Sequence, residues 1–99
     1  MKKKNSKYKT FNSIKEMGLY FGLTEFEMEL MAQKKKIISK LKNARLEQGI
    51  SQEKLASMVG TKQPAIARME SGIISEVSLD FLAKIAFVLN VSFTLRKAA

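Results

Sequence analysis

Residues 51–72 have the sequence SQEKLASMVGTKQPAIARMESG, and this stretch decides the fold. Ser51 is a favourable N-cap for a short helix over 52–59, whose apolar residues fall on one face. Gly60 allows the tight turn that follows, and a second short helix is predicted over 62–71. Two short helices joined by a glycine-containing turn form the arrangement that places the second helix in a DNA major groove.

Long polar side chains lie at the starts of these two helices and on the outward face of the second: Gln52, Lys62, Gln63 and Arg68. Gln can form two hydrogen bonds with adenine and Arg two with guanine, and each pair is worth about 1–3 kcal/mol of discrimination. Many helix pairs of this kind do not bind DNA. The alternative is therefore that each of these side chains only keeps the protein surface soluble. Their clustering on one face, in a chain with a formal net charge of +9, favours DNA binding.

The residue types that the chain lacks exclude most enzyme classes. Its 99 residues fit one domain with an arm, and they include no Cys and no His. This excludes disulfides, zinc sites, thiol nucleophiles and imidazole acid–base chemistry. A convergent carboxylate pair and a Gly-rich phosphate loop are also missing, so we expect no catalytic residue, metal site, cofactor or small-molecule ligand. With no apolar run long enough for a membrane span and no signal peptide, we expect a cytoplasmic protein.

The beginning of the chain combines a lysine-rich arm with a short helix. Residues 1–10 contain five lysines and predict a flexible, solvated arm, with contact to DNA phosphates or to a partner as the alternative. Ser13 followed by Glu16 predicts a capping box and a helix over 13–20. A helix of this length is not stable alone, so its apolar face must pack on something.

A much longer helix is predicted over 25–48, because Thr24 and Glu27 form a second capping box and Gly49 ends the pattern. Apolar residues recur along it at helical spacing: Phe26, Leu30, Ile37, Leu41 and Ala44. The lysines at 34–36 interrupt this pattern, so the first half of the helix is expected to project from a core packed by the second half. These lysines fit a solvated face, with contact to DNA phosphates as the alternative.

The end of the chain predicts a helix and then a strand. Ser78 can cap a helix over 79–89, which Asn90 can end. Residues 91–96 alternate apolar and polar side chains, which predicts a strand. No other segment predicts one, so its partner must be a second copy or another chain. Unpaired strand backbone favours pairing across a symmetric dimer, and the alternative is a frayed tail.

Residues 41–91 resemble the lambda-repressor-like, Cro/cI-type (XRE) family of DNA-binding domains. The segments that carry the resemblance are 41–45 (LKNAR), 50–56 (ISQEKLA), 59–60 (VG), 66–70 (IARME) and Gly72. The resemblance implies an all-α fold, a lambda-repressor-like five-helix domain that the short and the long helix precede here. It also implies a homodimer bound to double-stranded, palindromic operator DNA.

The same resemblance implies roles for single residues. Two would hold phosphates, Gln52 and Lys62, and four would face bases: Gln63, Pro64, Ala67 and Arg68. Arg45 and Glu70 would form a structural salt bridge between two helices.

The part before residue 41 is similar to HigA-type antitoxins of type II toxin–antitoxin systems. The similarity lies in the short helix, the sequence GLTE at 22–25 and the long charged helix, and residues 61–72 fit that group too. It implies a bacterial or phage protein that neutralises a HigB toxin, a RelE-like ribosome-dependent ribonuclease, and that represses its own operon.

A toxin-binding surface is predicted from apolar side chains that so short a segment cannot bury alone. They are Phe11, Ile14, Met17, Tyr20, Phe21, Phe26 and Leu30. Residues 1–33 would then be a flexible basic arm with a toxin-binding segment, and 34–99 a helix-turn-helix domain for DNA binding and dimerisation. The alternative is a stand-alone Cro/cI-type repressor without a toxin, whose N-terminal helices serve dimerisation only.

Overall fold

The fold is all-helical in the part of the chain that the structure describes. The computed structural model describes residues 10–22, 24–72 and 77–96. The helices there are α1 (Ile14–Tyr20), α2 (Glu25–Glu47), α3 (Gln52–Val59), α4 (Gln63–Glu70) and α5 (Leu79–Leu89). Each begins and ends within one residue of its prediction, so the all-α class is confirmed.

In the described ranges the structure contains fewer helices than a five-helix domain with two further helices would require, so the extra helices are not confirmed. The short and the long N-terminal helices are two of the five in the described ranges, not additions to a five-helix domain. The difference arises because the C-terminal half of α2 is itself the first helix of the bundle, which α3, α4 and α5 complete. The predicted basic arm lies, up to residue 9, outside the described residues.

Four of the five helices begin at a hydroxyl side chain: Ser13, Thr24, Ser51 and Ser78. Each oxygen accepts a hydrogen bond from the backbone N–H three residues later, at 2.9–3.1 Å. The box at Thr24 is complete, because the Glu27 carboxylate accepts the Thr24 N–H at 2.9 Å. The box at Ser13 is only half formed, since the Glu16 carboxylate instead accepts the N–H of Asn12 at 3.3 Å.

The core lies between the C-terminal half of α2 and helices α3 to α5. Its largest fully buried side chains are Leu41, Leu55, Ile66, Met69, Leu82, Ile85 and Leu89. Within α2 the core begins only at Ile37. Of the three lysines just before it, Lys34 donates from Nζ to the carbonyl oxygen of Val77 at 2.7 Å. Lys35 and Lys36 are exposed, as a solvated face requires.

Helix α1 packs on the N-terminal half of α2, outside this core. Gly18 allows the close approach, because a Cβ at this position would overlap the Sδ of Met28, which is 6% exposed. A helix of seven residues depends on such packing for its stability. Helix α2 continues without a break through the predicted domain boundary between residues 33 and 34.

Residues 91–96 form no strand within the described chain and run along α2 instead. The Gln33 side chain pairs with both backbone groups of Arg96: its Oε1 accepts the N–H at 2.6 Å, and its Nε2 donates to the carbonyl oxygen. Lys40 donates from Nζ to the carbonyl oxygen of Ser92 at 2.5 Å. A strand that pairs across two copies stays a prediction, because one chain is described.

Candidate nucleic-acid interface

Helices α3 and α4 pack through their inner faces and leave one side of α4 open to solvent. The buried residues between them are Leu55 and Ala56 on α3 and Ile66 and Met69 on α4. Gly60 ends α3 with φ 83°, the left-handed conformation that the predicted turn requires. Helix positions 63, 64, 67 and 68 share the opposite face. Of the predicted contact residues on that face and just before it, Lys62, Pro64 and Arg68 are exposed. Gln63 and Ala67 are half-buried.

The start of α4 differs from the starts of the other four described helices. Lys62 is its N-cap and makes no capping hydrogen bond with its side chain. Pro64 lies in the first turn, where a missing N–H removes no helical hydrogen bond. Lys62 therefore stands at the positive end of the helix dipole, and both its charge and the dipole attract an anion.

Gln63 is tied to the interior by a chain of hydrogen bonds. Its Nε2 donates to the Oε1 of Gln52 at 2.8 Å, and the Nε2 of Gln52 donates to the Oε1 of Glu70 at 2.9 Å. Gln52 and Gln63 are the first residues of α3 and α4, so the chain joins the two helix starts to the end of α4. The predicted phosphate contact and the first predicted base contact therefore lie side by side.

The interior end of this chain is an ion pair between α2 and α4. Arg45 donates from Nε to the Oε2 of Glu70 at 2.6 Å and from Nη2 to its Oε1 at 2.9 Å. The two side chains are 9% and 3% exposed. The third nitrogen of the guanidinium group, Nη1, donates to the carbonyl oxygen of Ile50 at 2.7 Å. The structure thus contains the salt bridge that the resemblance implied.

The protonation of this pair follows from its contacts. Burial raises the pKa of the Glu70 carboxyl, but the hydrogen bonds from Arg45 and Gln52, together with the positive charges of Arg45 and Lys42, outweigh burial, so the pKa lies below its ordinary value. The hydrogen bonds to Glu70 also raise the pKa of Arg45. Both groups are therefore charged near neutral pH.

The comparison with known proteins gives the family. A helix-turn-helix family model matches residues 41–95, which is more than half of the chain. The chain belongs to the XRE-type helix-turn-helix family. No curated protein and no solved structure matches the chain significantly. As a member of this helix-turn-helix family, the protein is a DNA-binding transcriptional regulator.

Two features of the helix-turn-helix protein were not predicted from its sequence. Gln52 forms hydrogen bonds with both Glu70 and Gln63, whereas the resemblance implied only a phosphate contact for it. The sequence contained a signal for this contact, because each glutamine directly follows a helix N-cap, at residue 51 or 62. The first residues of two helices can lie close together when a short turn joins the helices. Phe87 on α5 is 89% exposed, and no prediction assigned it a role.

None of the described helices is long and apolar enough to cross a membrane.

The predicted toxin-binding residues lie outside the matched range, and the structure brings three of them together. The ring centroid of Phe11 lies 5.4 Å from that of Tyr20 and 6.1 Å from that of Phe21, and the latter two rings are 5.2 Å apart. We call these three residues the aromatic cluster. Phe26 and Leu30 line a cavity of about 200 Å³ with the C-terminal residues Leu95 and Arg96.

The other two members of the predicted toxin-binding set have different positions. Met17, on α1, is half-buried. The side chain of Ile14 lies outside the described residues, although its backbone begins α1.

Proposed function

We propose that the protein is the antitoxin of a type II toxin–antitoxin system. Its N-terminal segment would bind and neutralise a HigB/RelE-like ribonuclease toxin, and its helix-turn-helix domain would repress its own operon as a homodimer on a palindromic operator. The observation that carries the toxin-binding part is the apolar surface that α1 and the start of α2 expose. The proposal assigns no reaction to the chain itself.

The exposed aromatic side chains support a protein partner. Tyr20 is 60% exposed, Phe21 is 66% exposed and Phe26 is 73% exposed. Aromatic residues contribute large contact areas to interfaces, and grouped apolar exposure is uncommon on soluble monomers. These residues precede the matched range of 41–95, so a partner bound there need not cover the outward face of α4.

The charge of the N-terminal segment supports a basic partner. Residues 10–31 contain one Lys and four Glu, a net charge of −3, whereas the whole chain carries +9. A ribonuclease must attract the phosphates of RNA and therefore needs a basic surface. An acidic surface with exposed aromatic rings complements such a partner and would speed its association.

The DNA-binding half of the proposal rests on the open face of α4. We propose that Lys62 and Gln52 hold phosphates and that α4 lies in the major groove. There Gln63 and Arg68 would form hydrogen bonds with base edges, while Pro64 and Ala67 would contact bases through their apolar atoms. Each phosphate contact releases counterions, so affinity should fall steeply as salt rises.

Two apolar surfaces support the homodimer. Phe87 is 89% exposed on α5, and Leu95, within the predicted strand, is 48% exposed. A symmetric pair could bury both surfaces and place the two α4 helices on half-sites about one DNA turn apart. The second candidate function is a stand-alone repressor, in which the aromatic cluster would serve this dimer contact instead of a toxin.

Co-purification with the product of the adjacent reading frame tests the proposal. We expect a tagged product of that frame to retain the wild-type protein and to stop growth when it is expressed alone. The double variant Tyr20→Ala/Phe21→Ala should lose retention. The control Leu46→Ala, which removes an exposed apolar side chain of α2 (55% exposed), should keep it. If no toxin is encoded beside the gene, or if its product does not retain the wild type, the stand-alone repressor is the better description.

A further inference from the structure

Four side chains connect the interior of the protein to the first residue of α4. Arg45 of α2 bonds Glu70, Glu70 bonds Gln52, and Gln52 bonds Gln63. We call this set the Arg45–Gln63 chain. The ion pair at one end is buried, while Gln63 at the other end is half-buried on the proposed DNA face.

The chemistry of the ion pair dictates the direction of every hydrogen bond in the chain. An ionised carboxylate only accepts hydrogen bonds, and a guanidinium group only donates them. Because Arg45 keeps Glu70 ionised, Gln52 must turn its NH₂ group towards Glu70, as the 2.9 Å contact between Nε2 and Oε1 shows. The carbonyl end of Gln52 then faces Gln63, which must turn its own NH₂ group inward, at 2.8 Å. The orientation of both amides is thus fixed by charge.

This orientation determines what Gln63 offers to a base. One hydrogen of its NH₂ group is used by Gln52, so its Oε1 and the second N–H are left for DNA. Adenine presents a donor at N6 and an acceptor at N7, which match both atoms. Guanine presents two acceptors, N7 and O6, so its O6 would oppose the Oε1 of Gln63. A reversed amide would direct both N–H groups to DNA and would suit guanine.

We propose that Arg45 and Glu70 are positioning residues for base recognition, which hold the Gln63 amide in the orientation that prefers adenine to guanine. The inference rests on the proposed contact of Gln63 with a base. It gives the ion pair a second role besides joining α2 to α4, because a purely structural pair would have no effect on base preference.

Exchanging the two charges provides the sharpest test. The variant Arg45→Glu/Glu70→Arg keeps an ion pair but places a donor beside Gln52, which must then turn its carbonyl oxygen towards residue 70. Gln52 would direct its NH₂ group to Gln63, and Gln63 would direct its own NH₂ group to DNA. We expect the preference to change from adenine to guanine.

A second variant decides the question if the exchanged pair does not fold. Arg45→Met/Glu70→Met replaces the buried pair by apolar side chains of similar length, which proteins often tolerate. Gln52 then has no fixed orientation, and we expect the preference for adenine to disappear without reversing. The matched control is Arg45→Lys, which retains an ionised Glu70 and should retain the wild-type preference. Thermal unfolding establishes that each variant is folded.

The measurement needs a duplex of known sequence. Wild-type protein selects its site from a randomised duplex library, and Gln63→Ala identifies the base pair whose discrimination depends on Gln63. Fluorescence anisotropy then compares duplexes with adenine or guanine at that position. We expect the wild type to prefer adenine by roughly tenfold, in the range typical of one bidentate contact. An unchanged preference in folded Arg45→Met/Glu70→Met would overturn the inference.

A measurement without DNA separates this inference from the proposed function. In ¹H–¹⁵N spectra of the free protein, the side-chain amide signals of Gln63 should shift in Arg45→Met/Glu70→Met, because the effect passes through Gln52, the side chain that bonds both Glu70 and Gln63. Unchanged Gln63 signals would show that Arg45 and Glu70 do not fix the orientation of the Gln63 amide, and would overturn the inference. Failure of the wild type to select any sequence would instead count against the proposed operator binding.

Discussion

At the scale of single residues, Arg68 is the exposed residue whose side chain is predicted to form hydrogen bonds with a base. It lies on the open face of α4, one position after the small residue Ala67. Arg68→Ala should weaken binding to the selected operator by about 1–3 kcal/mol, because a bidentate contact with guanine is lost. Binding to a random duplex should change little, since that binding depends on summed charge. Anisotropy titrations at one salt concentration measure both.

The control for Arg68 is Lys84→Ala, which removes one exposed positive charge from α5. It should lower affinity for the operator and for the random duplex by the same small factor. If Arg68→Ala also weakens both duplexes equally, Arg68 contacts phosphates and not bases.

Glu70 should make stability depend on pH in the acid range. Its folded-state pKa lies below the ordinary value of 4.5, so its ionised form stabilises the fold above about pH 4.5. This contribution is lost as pH falls through the folded-state pKa. The variant Arg45→Met/Glu70→Met has no such contribution. Between pH 6 and pH 3, the unfolding free energy of the wild type should therefore fall relative to that of the variant.

Urea unfolding at several pH values measures this difference directly. The pKa of Glu27 is also lowered, by its hydrogen bonds with Thr24, but this group is present in both proteins and cancels in the comparison. A difference that stays constant with pH would contradict the proposed ionisation of Glu70.

At the scale of helices, α1 depends on its contact with α2. Gly18→Ala should loosen that contact, because the new Cβ would overlap the Sδ of Met28. Replacing Gly by Ala favours a helix by about 1 kcal/mol, but overpacking typically costs about 1–3 kcal/mol. We therefore expect faster amide hydrogen exchange in α1 and little change in the core helices. The second substitution in Gly18→Ala/Met28→Ala makes room and should restore part of the protection.

Helix boundaries could be predicted because the signals for them are local. Ser51 and Ser78 cap helices within three residues of themselves, and Gly60 and Asn90 end helices in the left-handed conformation that suits them. The outward placement of Arg68 followed from the helix period alone. The fold class and the predicted DNA face were therefore accessible from the sequence.

Contacts between distant segments could not be predicted in this way. Lys34 and Lys40 donate to carbonyl oxygens far along the chain, and Gln33 pairs with the backbone of Arg96. A lysine in a charged run has the same pattern whether it faces solvent or a buried carbonyl group. The salt bridge between Arg45 and Glu70 came from the resemblance, because charge patterns 25 residues apart do not indicate contact.

At the scale of the whole molecule, the two proposed binding surfaces lie in different parts of the chain. The aromatic cluster and four of the nine acidic residues lie before residue 32, whereas the core begins at Ile37. Removing residues 1–31 should therefore abolish retention by the toxin and keep operator affinity within about twofold, since the loss of one interface need not affect an independent one. Retention by the tagged toxin and anisotropy on the operator measure the two functions. If the truncated protein still binds the toxin, the binding surface lies after residue 31.

Dimerisation is the remaining property on which operator binding depends. Removing residues 94–99 should weaken the dimer, because it deletes Leu95 and half of the predicted strand but keeps Val91 and Phe93, which pack against the core. Sedimentation velocity over a range of concentrations should show more monomer than in the wild type, and operator affinity should fall with it because both half-sites must be occupied. Gln33→Ala is the matched control, since it releases the backbone of Arg96 from α2 and leaves the strand sequence intact. If the shortened protein has the sedimentation profile of the wild type, the predicted strand does not hold the dimer together. The exposed Phe87 on α5 then becomes the better candidate for the dimer contact.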